Sequence, residues 1–203
     1  MARTLRILGA PGPPARADAS RNRELLLCTA RRLVEELGVT GLSMDALAAE
    51  AGLGKGTVFR RFGSRAGLFA ALLDEYERDF QTACLTGPPP LGPGADPVDR
   101  LVAFGHDRLR FTAERAHLIR EANAQPAAAN APSAFSRLHL RVLLRATGVR
   151  GDVDVLAFNL HAALEAPLAY HVEGHLDGVP HVSAERLADG WTDLVRRVVG
   201  SGG

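Results

Sequence analysis

The sequence predicts an all-α protein of about nine helices, in which a small N-terminal helical domain precedes a larger helical bundle. Apolar residues recur three and four positions apart along most of the 203 residues, whereas no segment keeps the alternating pattern of a half-buried strand. Ser43, Ser64 and Ser183 each stand just before such a pattern, where a serine side chain can cap the first turn of a helix. Prolines and glycines collect in short segments between the patterns, where they would separate one helix from the next.

The N-terminal helices follow a leader, residues 1–19, which is rich in Pro, Gly, Ala and Arg and lacks a helical period. We expect this leader to be flexible. The first helix should begin near Ser20 and end at Gly38, because glycine readily adopts the backbone conformation that ends a helix. Three more helices are expected in this part of the chain: 44–51, 55–62 and 64–84.

The second part of the chain begins after a break at 86–95, where the sequence TGPPPLGPGA is unsuited to a helix. Asp96-Pro97 then restarts helical structure, with proline at the first helical position. Five helices are expected beyond this break: 97–112, 114–124, 133–147, 152–173 and 183–199.

The composition is typical of a folded protein, with 46% hydrophobic and 23% charged residues. No stretch of about 20 apolar residues occurs, so we predict no transmembrane helix. The N-terminus does not resemble a signal peptide, and we predict a cytoplasmic protein. Cys28 and Cys84 fall in separate helices without a CxxC or Cys/His cluster, so we expect small buried residues rather than a zinc site or a redox switch.

Charge is distributed unevenly along the chain, although the net charge is only +1. Residues 1–64 hold ten Arg or Lys and six Asp or Glu, whereas the remainder holds fourteen basic and seventeen acidic residues. A basic N-terminal part on an acidic body indicates that a polyanionic partner binds at the N-terminal end.

Residues 43–62 fit a helix-turn-helix, since two short helices are joined by the glycine-containing turn Ala51-Gly52-Leu53. The second helix is then free to enter a DNA major groove, which is about 12 Å wide. Val58 and Phe62 lie four residues apart and suit its inward face. The outward positions can contact guanine edges, thymine methyl groups or phosphates: Lys55, Thr57, Phe59 and Arg60.

The segment GVTGLSMDALAAEAGLGKGTVFRRFGSRAGLFAAL resembles the DNA-binding domain of the TetR/AcrR family of transcriptional regulators. The following residues match the pattern of that family: Gly38, Ser43, Leu47, Ala48, Ala51, Gly52, Gly56, Thr57, Val58, Phe62, Ser64, Arg65 and Leu68. The resemblance covers about residues 20–70. It implies a helix-turn-helix domain over 20–66 and a ligand-binding and dimerisation domain over 67–203, which follow the flexible basic leader over 1–19.

The resemblance also implies a set of DNA-facing residues: Ser43, Lys55, Gly56, Thr57, Phe59, Arg60 and Arg65. Two positions depart from the family pattern. Phe59 stands where a tyrosine is usual, so a hydroxyl that reaches a phosphate is missing. Gly67 stands where a glutamate often completes the cap that Ser64 begins. The leader contains three arginines, Arg3, Arg6 and Arg16. They either belong to an inert tail or bind in the DNA minor groove as a basic arm.

The resemblance places a ligand pocket and a dimer interface in the second part of the chain, with the interface on the last two helices. The helix at 152–173 is apolar nearly all round, which independently suggests burial on more than one side. The expected interface residues are Leu160, Leu164, Leu168, Trp191, Leu194, Val195 and Val198. For the stripe from Leu187 to Val198, interior core alone is the alternative. The candidate pocket residues combine aromatic and polar side chains, although aromatic residues at helical spacing more often form plain core: Phe104, Phe111, Phe135, His139, Asn159 and His161.

A polar stripe runs along the helix at 152–173, where Asp154, His161 and Glu165 lie within about 40° of one direction around the axis. A solvent-exposed edge is the favoured interpretation, and a polar lining of the ligand cavity is the alternative. One histidine and two carboxylates are too few ligands to predict a metal site.

These observations predict a homodimeric, sequence-specific regulator that a small and mainly apolar ligand releases from a palindromic operator. We predict no catalytic activity, cofactor or metal, because no nucleophile elbow, phosphate loop or zincin motif occurs. Two alternatives remain: a small-molecule-binding or enzymatic bundle that uses its histidines, with a vestigial DNA-binding head, and a nonspecific DNA-packaging protein.

Overall fold

A computed structural model describes residues 14–122, 131–173 and 182–200, with side chains over 18–122, 134–167 and 182–200. Within those ranges the chain forms helices without any strand, which confirms the predicted all-α fold. The helices are α1 Pro14–Gly41, α2 Met44–Glu50, α3 Lys55–Phe62, α4 Arg65–Thr86, α5 Pro97–Ala122, α6 Ala131–Thr147, α7 Val153–Glu173 and α8 Ala184–Gly200. They divide between two compact units, Met1–Arg65 and Ala66–Gly203.

Helix α1 begins at Pro14, six residues before the predicted start at Ser20. The prediction of a flexible leader is therefore wrong for 14–19, where proline suits a first helical turn and alanine favours helix continuation. Residues 1–13 lie outside the described residues, as does the side chain of Arg16. The helix departs from helical geometry at Gly38, with φ 73° and ψ 170°, a conformation that favours glycine.

The first unit has a small apolar core to which all three of its helices contribute. Its buried side chains are Leu26, Leu27, Ala30, Leu33, Leu42, Met44, Leu47, Ala48 and Val58. Helix α2 packs on both α1 and α3. Burial of these side chains therefore fixes the orientation of α3, whose other face remains available.

Helix α5 is continuous over Pro97–Ala122, where the sequence predicted one helix ending near Thr112 and another beginning at Glu114. Only Ala113 separates those two patterns, and alanine is the best helix former. The described residues accordingly contain eight helices instead of nine. Helix α5 packs against α6, α7 and α8, and so forms the centre of the second unit.

The core of the second unit includes four of the residues that were predicted to form the dimer interface: Leu160, Leu164, Trp191 and Val195. Each is at most 3% exposed in the single chain. The interface prediction is wrong for these four, because their helical stripe packs on the chain's own α5. Leu194 and Val198 are half-buried against the same core, and the side chain of Leu168 lies outside the described residues.

Helix α8 docks on α5 through Trp191, whose indole N–H donates a hydrogen bond to the carbonyl of Leu101 at 3.0 Å. The ring lies over Gly105, and a Cβ atom at that position would come within 2.0 Å of it. Glycine is required there because it lets the indole approach the backbone of α5.

The two cysteines differ in environment, since Cys28 is exposed and Cys84 is buried. The expectation of burial is therefore wrong for Cys28. Burial raises the pKa of Cys84 to about 12, so this thiol stays protonated at neutral pH. None of the helices among the described residues is long and apolar enough to cross a membrane.

Candidate functional site

Helix α2 begins at a serine cap, as the sequence predicted. The backbone of Ser43 is extended, and its Oγ accepts a hydrogen bond from the N–H of Ala46 at 3.0 Å. Serine satisfies one of the amide groups that the first turn of a helix leaves without a partner. This cap sets the start of α2 and leaves the Ser43 side chain exposed.

The turn between α2 and α3 depends on Gly52, which has a φ of 65°. The N–H of Leu53 returns to the carbonyl of Ala48 at 3.0 Å, and that of Gly52 to Ala49 at 3.2 Å. These bonds satisfy carbonyls at the end of α2 and reverse the chain within a few residues. Helix α3 can then start at Lys55, after the extended residue Gly54.

Helix α3 has one buried and one exposed face. Val58 is fully buried and anchors the helix to the core of the first unit, while Phe62 is half-buried. Thr57 is half-buried as well. The remaining predicted DNA-facing residues of this helix are exposed: Lys55, Gly56, Phe59 and Arg60.

The exposed face of α3 carries side chains that are held only by other surface groups. The Lys55 ammonium lies 2.5 Å from a carboxylate oxygen of Asp45. The Arg60 guanidinium donates to Oγ1 of Thr57 at 3.3 Å. Exposed pairs of this kind contribute roughly 0–1 kcal/mol, so both cations can exchange their partners for a phosphate or a base at little cost.

Gly56 has open space where a side chain would project, since a Cβ atom there would meet no other atom within 4 Å. Packing inside the chain therefore gives no reason for glycine at this position. Phe59 is 47% exposed, so the helix presents an apolar ring to solvent. Both features suit a surface that another molecule approaches closely.

Arg65 differs from the other predicted DNA-facing residues because its guanidinium is already hydrogen-bonded to the backbone of its own unit. It donates to the carbonyls of Leu42 at 3.0 Å and Val39 at 2.8 Å, in the segment that leads into α2. Arg61 likewise donates to the carbonyl of Ala19 at 2.8 Å and links α3 to α1. These two arginines hold the helices of the first unit in place.

In the second unit, most of the predicted pocket residues come together in one aromatic cluster. His139 stacks on Phe135 with ring centres 5.5 Å apart, and its ring lies 5.1 Å from Phe104. Phe80 connects Phe104, at 5.4 Å, with Phe111, at 6.1 Å. Three helices, α4, α5 and α6, therefore contribute rings to this cluster.

A buried ion pair adjoins the aromatic cluster. Arg108 pairs with Glu77, and its guanidinium lies 5.7 Å from the ring centre of Phe80 and 5.1 Å from that of Phe111. Glu165 approaches Arg108 at 3.9 Å. Because Arg108 and Glu77 are both at most 8% exposed, breaking this pair would leave an uncompensated charge in the interior.

Two buried histidines stay uncharged at neutral pH. Burial, together with the smaller effect of the nearby Arg100 charge, lowers the pKa of His139 to about 4. Burial also lowers the pKa of His161, against the opposing effect of Glu165, whose carboxylate oxygen lies 3.7 Å from Nε2 of His161. Both rings can therefore take part in hydrogen bonds as neutral groups.

The predicted polar stripe on α7 divides between two environments. Asp154 is exposed and lies 3.4 Å from the Arg141 guanidinium, as the favoured interpretation of an exposed edge predicted. That interpretation is wrong for His161, which is 8% exposed and faces the ion pair. Asn159 is exposed, so the structure does not bring it to the cluster with the other candidate pocket residues.

Sequence reasoning missed Glu77, Arg108 and Ser136, all of which are buried. A signal for the first two was present, because each lies at helical spacing within an apolar pattern. Glu77 stands three residues before Phe80, and Arg108 stands four residues after Phe104. A charged residue in such a position is a candidate for a buried pair.

Comparison with known proteins supports the assignment of the first unit. Residues 26–72 match the family described as bacterial regulatory proteins, tetR family. An HTH-type transcriptional regulator of Staphylococcus aureus (strain bovine RF122 / ET3-1) is 31% identical over 81 residues, which are 32% of this chain and 44% of that relative. The match thus spans less than half the length of that relative.

Solved structures extend the likeness to the whole fold. A TetR-family transcriptional regulator from Pectobacterium atrosepticum aligns with a TM-score of 0.64 at 25% identity, over 88% of this chain and 93% of the other. The structure of AibR in complex with isovaleryl coenzyme A and operator DNA aligns with a TM-score of 0.50 at 19% identity, over 86% and 97%. The first unit of this chain thus contains the DNA-binding domain of the tetR family of bacterial regulatory proteins, and the chain as a whole shares the fold of TetR-family regulators.

Proposed function

We propose that this protein is a sequence-specific DNA-binding regulator whose helix α3 enters the major groove of an operator. The observation that carries the proposal is the exposed face of α3. It presents Lys55, Gly56, Phe59 and Arg60 while Val58 anchors the opposite face in the core. A helix held by one face and exposed on the other is the geometry by which helix-turn-helix proteins read DNA.

The residues of this face have different roles in the proposal. Lys55 and Arg60 leave their surface partners and bind phosphates or guanine edges. Gly56 allows the helix backbone to approach the DNA, and Phe59 contributes apolar contact in place of a tyrosine hydroxyl. Ser43 lies exposed at the start of α2 and is a further phosphate contact. Arg65 acts indirectly, by holding the segment that leads into α2.

The protein acts in this proposal as a homodimer on a palindromic site, with half-sites about 34–36 Å apart. A small molecule bound in the second unit releases it from DNA, which makes it a repressor. The AibR structure, which contains isovaleryl coenzyme A and operator DNA, supports the idea that one fold of this type can hold both a ligand and an operator. Such a regulator acts by binding, without turnover.

We place the dimer interface on what we call the α6–α7 face, which consists of the exposed apolar residues of those helices. Leu138 and Val142 of α6 are 49% and 53% exposed, and Val155 and Phe158 of α7 are 52% and 59% exposed. Leu138 and Phe158 line a groove of about 330 Å³. The only charged side chain among the exposed residues of α7 between 153 and 167 is Asp154. A helix face of this kind is expected to be covered by a partner.

A second copy of the chain is the partner that suits this face. Arg137 and Arg141 lie on its α6 side and Asp154 lies on its α7 side, so the two sides carry opposite charges. In a twofold-symmetric contact, α6 of one chain can pack on α7 of the other, and the exposed Arg141–Asp154 pair within each chain can then exchange for pairs between the chains. Charged side chains occupy the exposed surface of α8, whose apolar stripe already packs in the chain's own core.

Operator binding can be tested by selecting binding sites from random duplexes and measuring affinity at physiological salt. The wild type should select a palindrome and bind it far more tightly than random DNA. Lys55→Ala and Arg60→Ala should each weaken specific binding by about 1–3 kcal/mol if they read a base. Arg110→Ala, an exposed substitution on α5, serves as the matched control and should not change affinity. Equal affinity for all sequences would contradict the proposal.

Gly56→Ala tests the close approach of the α3 backbone separately from folding. The Cβ atom has open space and alanine favours a helix, so the variant should be as stable as the wild type or more stable. Its affinity for the selected operator should nevertheless fall. Unchanged affinity would remove Gly56 from the interface.

The dimer interface can be tested with Phe158→Asp and light scattering coupled to size exclusion. The wild type should have twice the 21.6 kDa mass of the chain, and the variant should be a folded monomer. Leu85→Asp is the control, because Leu85 is 56% exposed and belongs to α4, not to the helices that form the α6–α7 face. A Phe158→Asp protein that remains dimeric would show that another surface forms the dimer.

A further inference from the structure

The first unit carries an exposed carboxylate in direct contact with helix α3. Asp45 lies in the first turn of α2, and one of its carboxylate oxygens is 2.5 Å from the Lys55 ammonium at the start of α3. The Asp45 and Lys55 side chains are 60% and 62% exposed. Helix α3 itself contains three basic residues and no acidic one. Asp45 is therefore an acidic group beside a surface that, in the proposed function, faces a polyanion.

The stability of the first unit gives little reason for a carboxylate at this position. An ion pair as exposed as Asp45–Lys55 contributes little to folding. A negative charge does favour the start of a helix, but the side chain of Ser43 already caps that turn of α2. Beside DNA, a carboxylate is unfavourable because the phosphates repel it. Asp45 therefore weakens DNA binding unless its carboxylate accepts a hydrogen bond from the DNA.

The DNA major groove offers two kinds of donor to a carboxylate, the exocyclic amine of cytosine and that of adenine. Each amine is hydrogen-bonded within its base pair to a carbonyl oxygen, O6 of guanine or O4 of thymine, so that donor and acceptor lie about 2.9 Å apart. This separation is close to the 2.5 Å between the Asp45 carboxylate and the Lys55 ammonium. The ion pair can thus place its carboxylate on the amine and its ammonium on the carbonyl of a single base pair.

The neighbouring groups of the two base pairs favour G·C over A·T. In guanine, N7 is a second acceptor beside O6, so the ammonium can bind both atoms. In an A·T pair, the carboxylate would lie beside N7 of adenine, which is an acceptor, and the ammonium would lie beside the methyl group of thymine. The charges of the Asp45–Lys55 pair therefore match the major-groove edge of a G·C pair better than that of an A·T pair.

We infer that the Asp45–Lys55 pair reads one G·C base pair of the operator, which makes Asp45 a specificity-determining residue. The inference rests on the proposed function, in which α3 enters the major groove. Of the two contacts proposed for Lys55, it selects the guanine edge, which the lysine can bind without leaving Asp45. On DNA without this base pair, the Asp45 carboxylate neutralises Lys55 and repels the phosphates. Asp45 thus gains specificity by weakening the binding of other sequences.

Asp45→Ala tests both effects in site selection and affinity measurements with the full chain. Its affinity for random duplexes should rise about fivefold, because a repelling charge is removed and Lys55 can bind a phosphate. The salt dependence of that binding should steepen by about one phosphate contact. Its preference for G·C should fall about tenfold at the base pair where Lys55→Ala also loses preference. An intact preference at that base pair, or no gain on random DNA, would overturn the inference.

Asp45→Asn separates the charge of the side chain from its hydrogen bond. The amide oxygen can still accept from cytosine, but the side chain no longer repels phosphates. This variant should bind random DNA as tightly as Asp45→Ala and keep more of the preference for G·C. Glu50→Ala is the matched control, because Glu50 is the other acidic residue of α2 and also forms an exposed ion pair, with Arg32 at 2.5 Å. An equal gain on random DNA in Glu50→Ala would overturn the inference in favour of net charge alone.

A double substitution distinguishes base reading from a structural effect on α2. In a Lys55→Ala background, Asp45→Ala should no longer change the preference at that base pair, whereas an effect transmitted through α2 would persist and overturn the inference. Failure of the proposed function is distinguishable, because it appears in the wild type. A wild type that selects no palindrome would refute the proposed function. A wild type that selects one, with the same base preferences in Asp45→Ala, would overturn the inference alone.

Discussion

Replacing His139 by phenylalanine should make the free energy of unfolding less dependent on pH. The imidazole is 7% exposed, and its pKa in the folded chain is about 4, compared with an ordinary value of 6.5. Below pH 6.5 the unfolded chain therefore takes up a proton that the folded chain does not. The stability from the neutral buried ring is fully present above that pH and is lost as the pH falls towards 4.

The size of the effect follows from the two pKa values, which differ by about 2.5 pH units, each corresponding to about 1.36 kcal/mol. The range from pH 7 to about pH 4.5 covers most of the interval between the two pKa values. Over that range, the titration of His139 should lower the free energy of unfolding of the wild type by about 2 kcal/mol. Other titrating groups contribute equally to the wild type and to His139→Phe. The difference between the two proteins isolates the contribution of this ring.

Urea unfolding followed by far-ultraviolet circular dichroism measures this difference, at equal protein concentration and at the two pH values. His139→Phe should gain about 2 kcal/mol relative to the wild type on going to the lower pH. His117→Phe controls for the general effect of replacing a histidine by phenylalanine. A stability difference between His139→Phe and wild type that stays constant with pH would refute the conclusion that His139 is held neutral by burial.

Three further substitutions test other contacts, each by the free energy of unfolding. Ser43→Ala removes the cap of α2 and should destabilise the first unit by about 1 kcal/mol; an unchanged stability would mean that the cap bond contributes nothing. Gly105→Ala places a methyl group within 2.0 Å of the α8 indole and should cost at least about 1–3 kcal/mol, whereas Gly190→Ala, with open space around it, should not destabilise. Arg108→Met leaves a buried carboxylate without its partner and should cost about 3–5 kcal/mol; a neutral effect would show that this interior is hydrated.

The helix-turn-helix could be predicted closely because short-range signals determine it. Ser43 caps α2, Gly52 makes the turn, and α3 begins and ends where the sequence predicted. Each of these features depends on residues within one or two turns of the chain. The start of α1 was missed for the opposite reason, since six residues after Pro14 are too few to show a helical period.

The second unit was predicted less well because its details depend on which helices become neighbours. The pattern of α7 and α8 showed which residues are apolar, but Leu164 and Val195 could equally have faced a partner chain or α5. Similarly, the period of α7 placed Asp154 and His161 on one stripe, and only the packing of α6 and α5 makes one of them exposed and the other buried. The spacing of apolar residues along one helix does not show which other helix, or which chain, will pack against it.

Trp191 is the only tryptophan in the chain, and it lies in the second unit with its indole enclosed by α5. Intrinsic fluorescence therefore reports on one unit alone, while circular dichroism records the helices of both. If the DNA-binding unit melts at a lower denaturant concentration, the dichroism signal will begin to fall before the tryptophan emission shifts. The single indole thus allows the stabilities of the two units to be resolved in the intact protein, without labels or truncation.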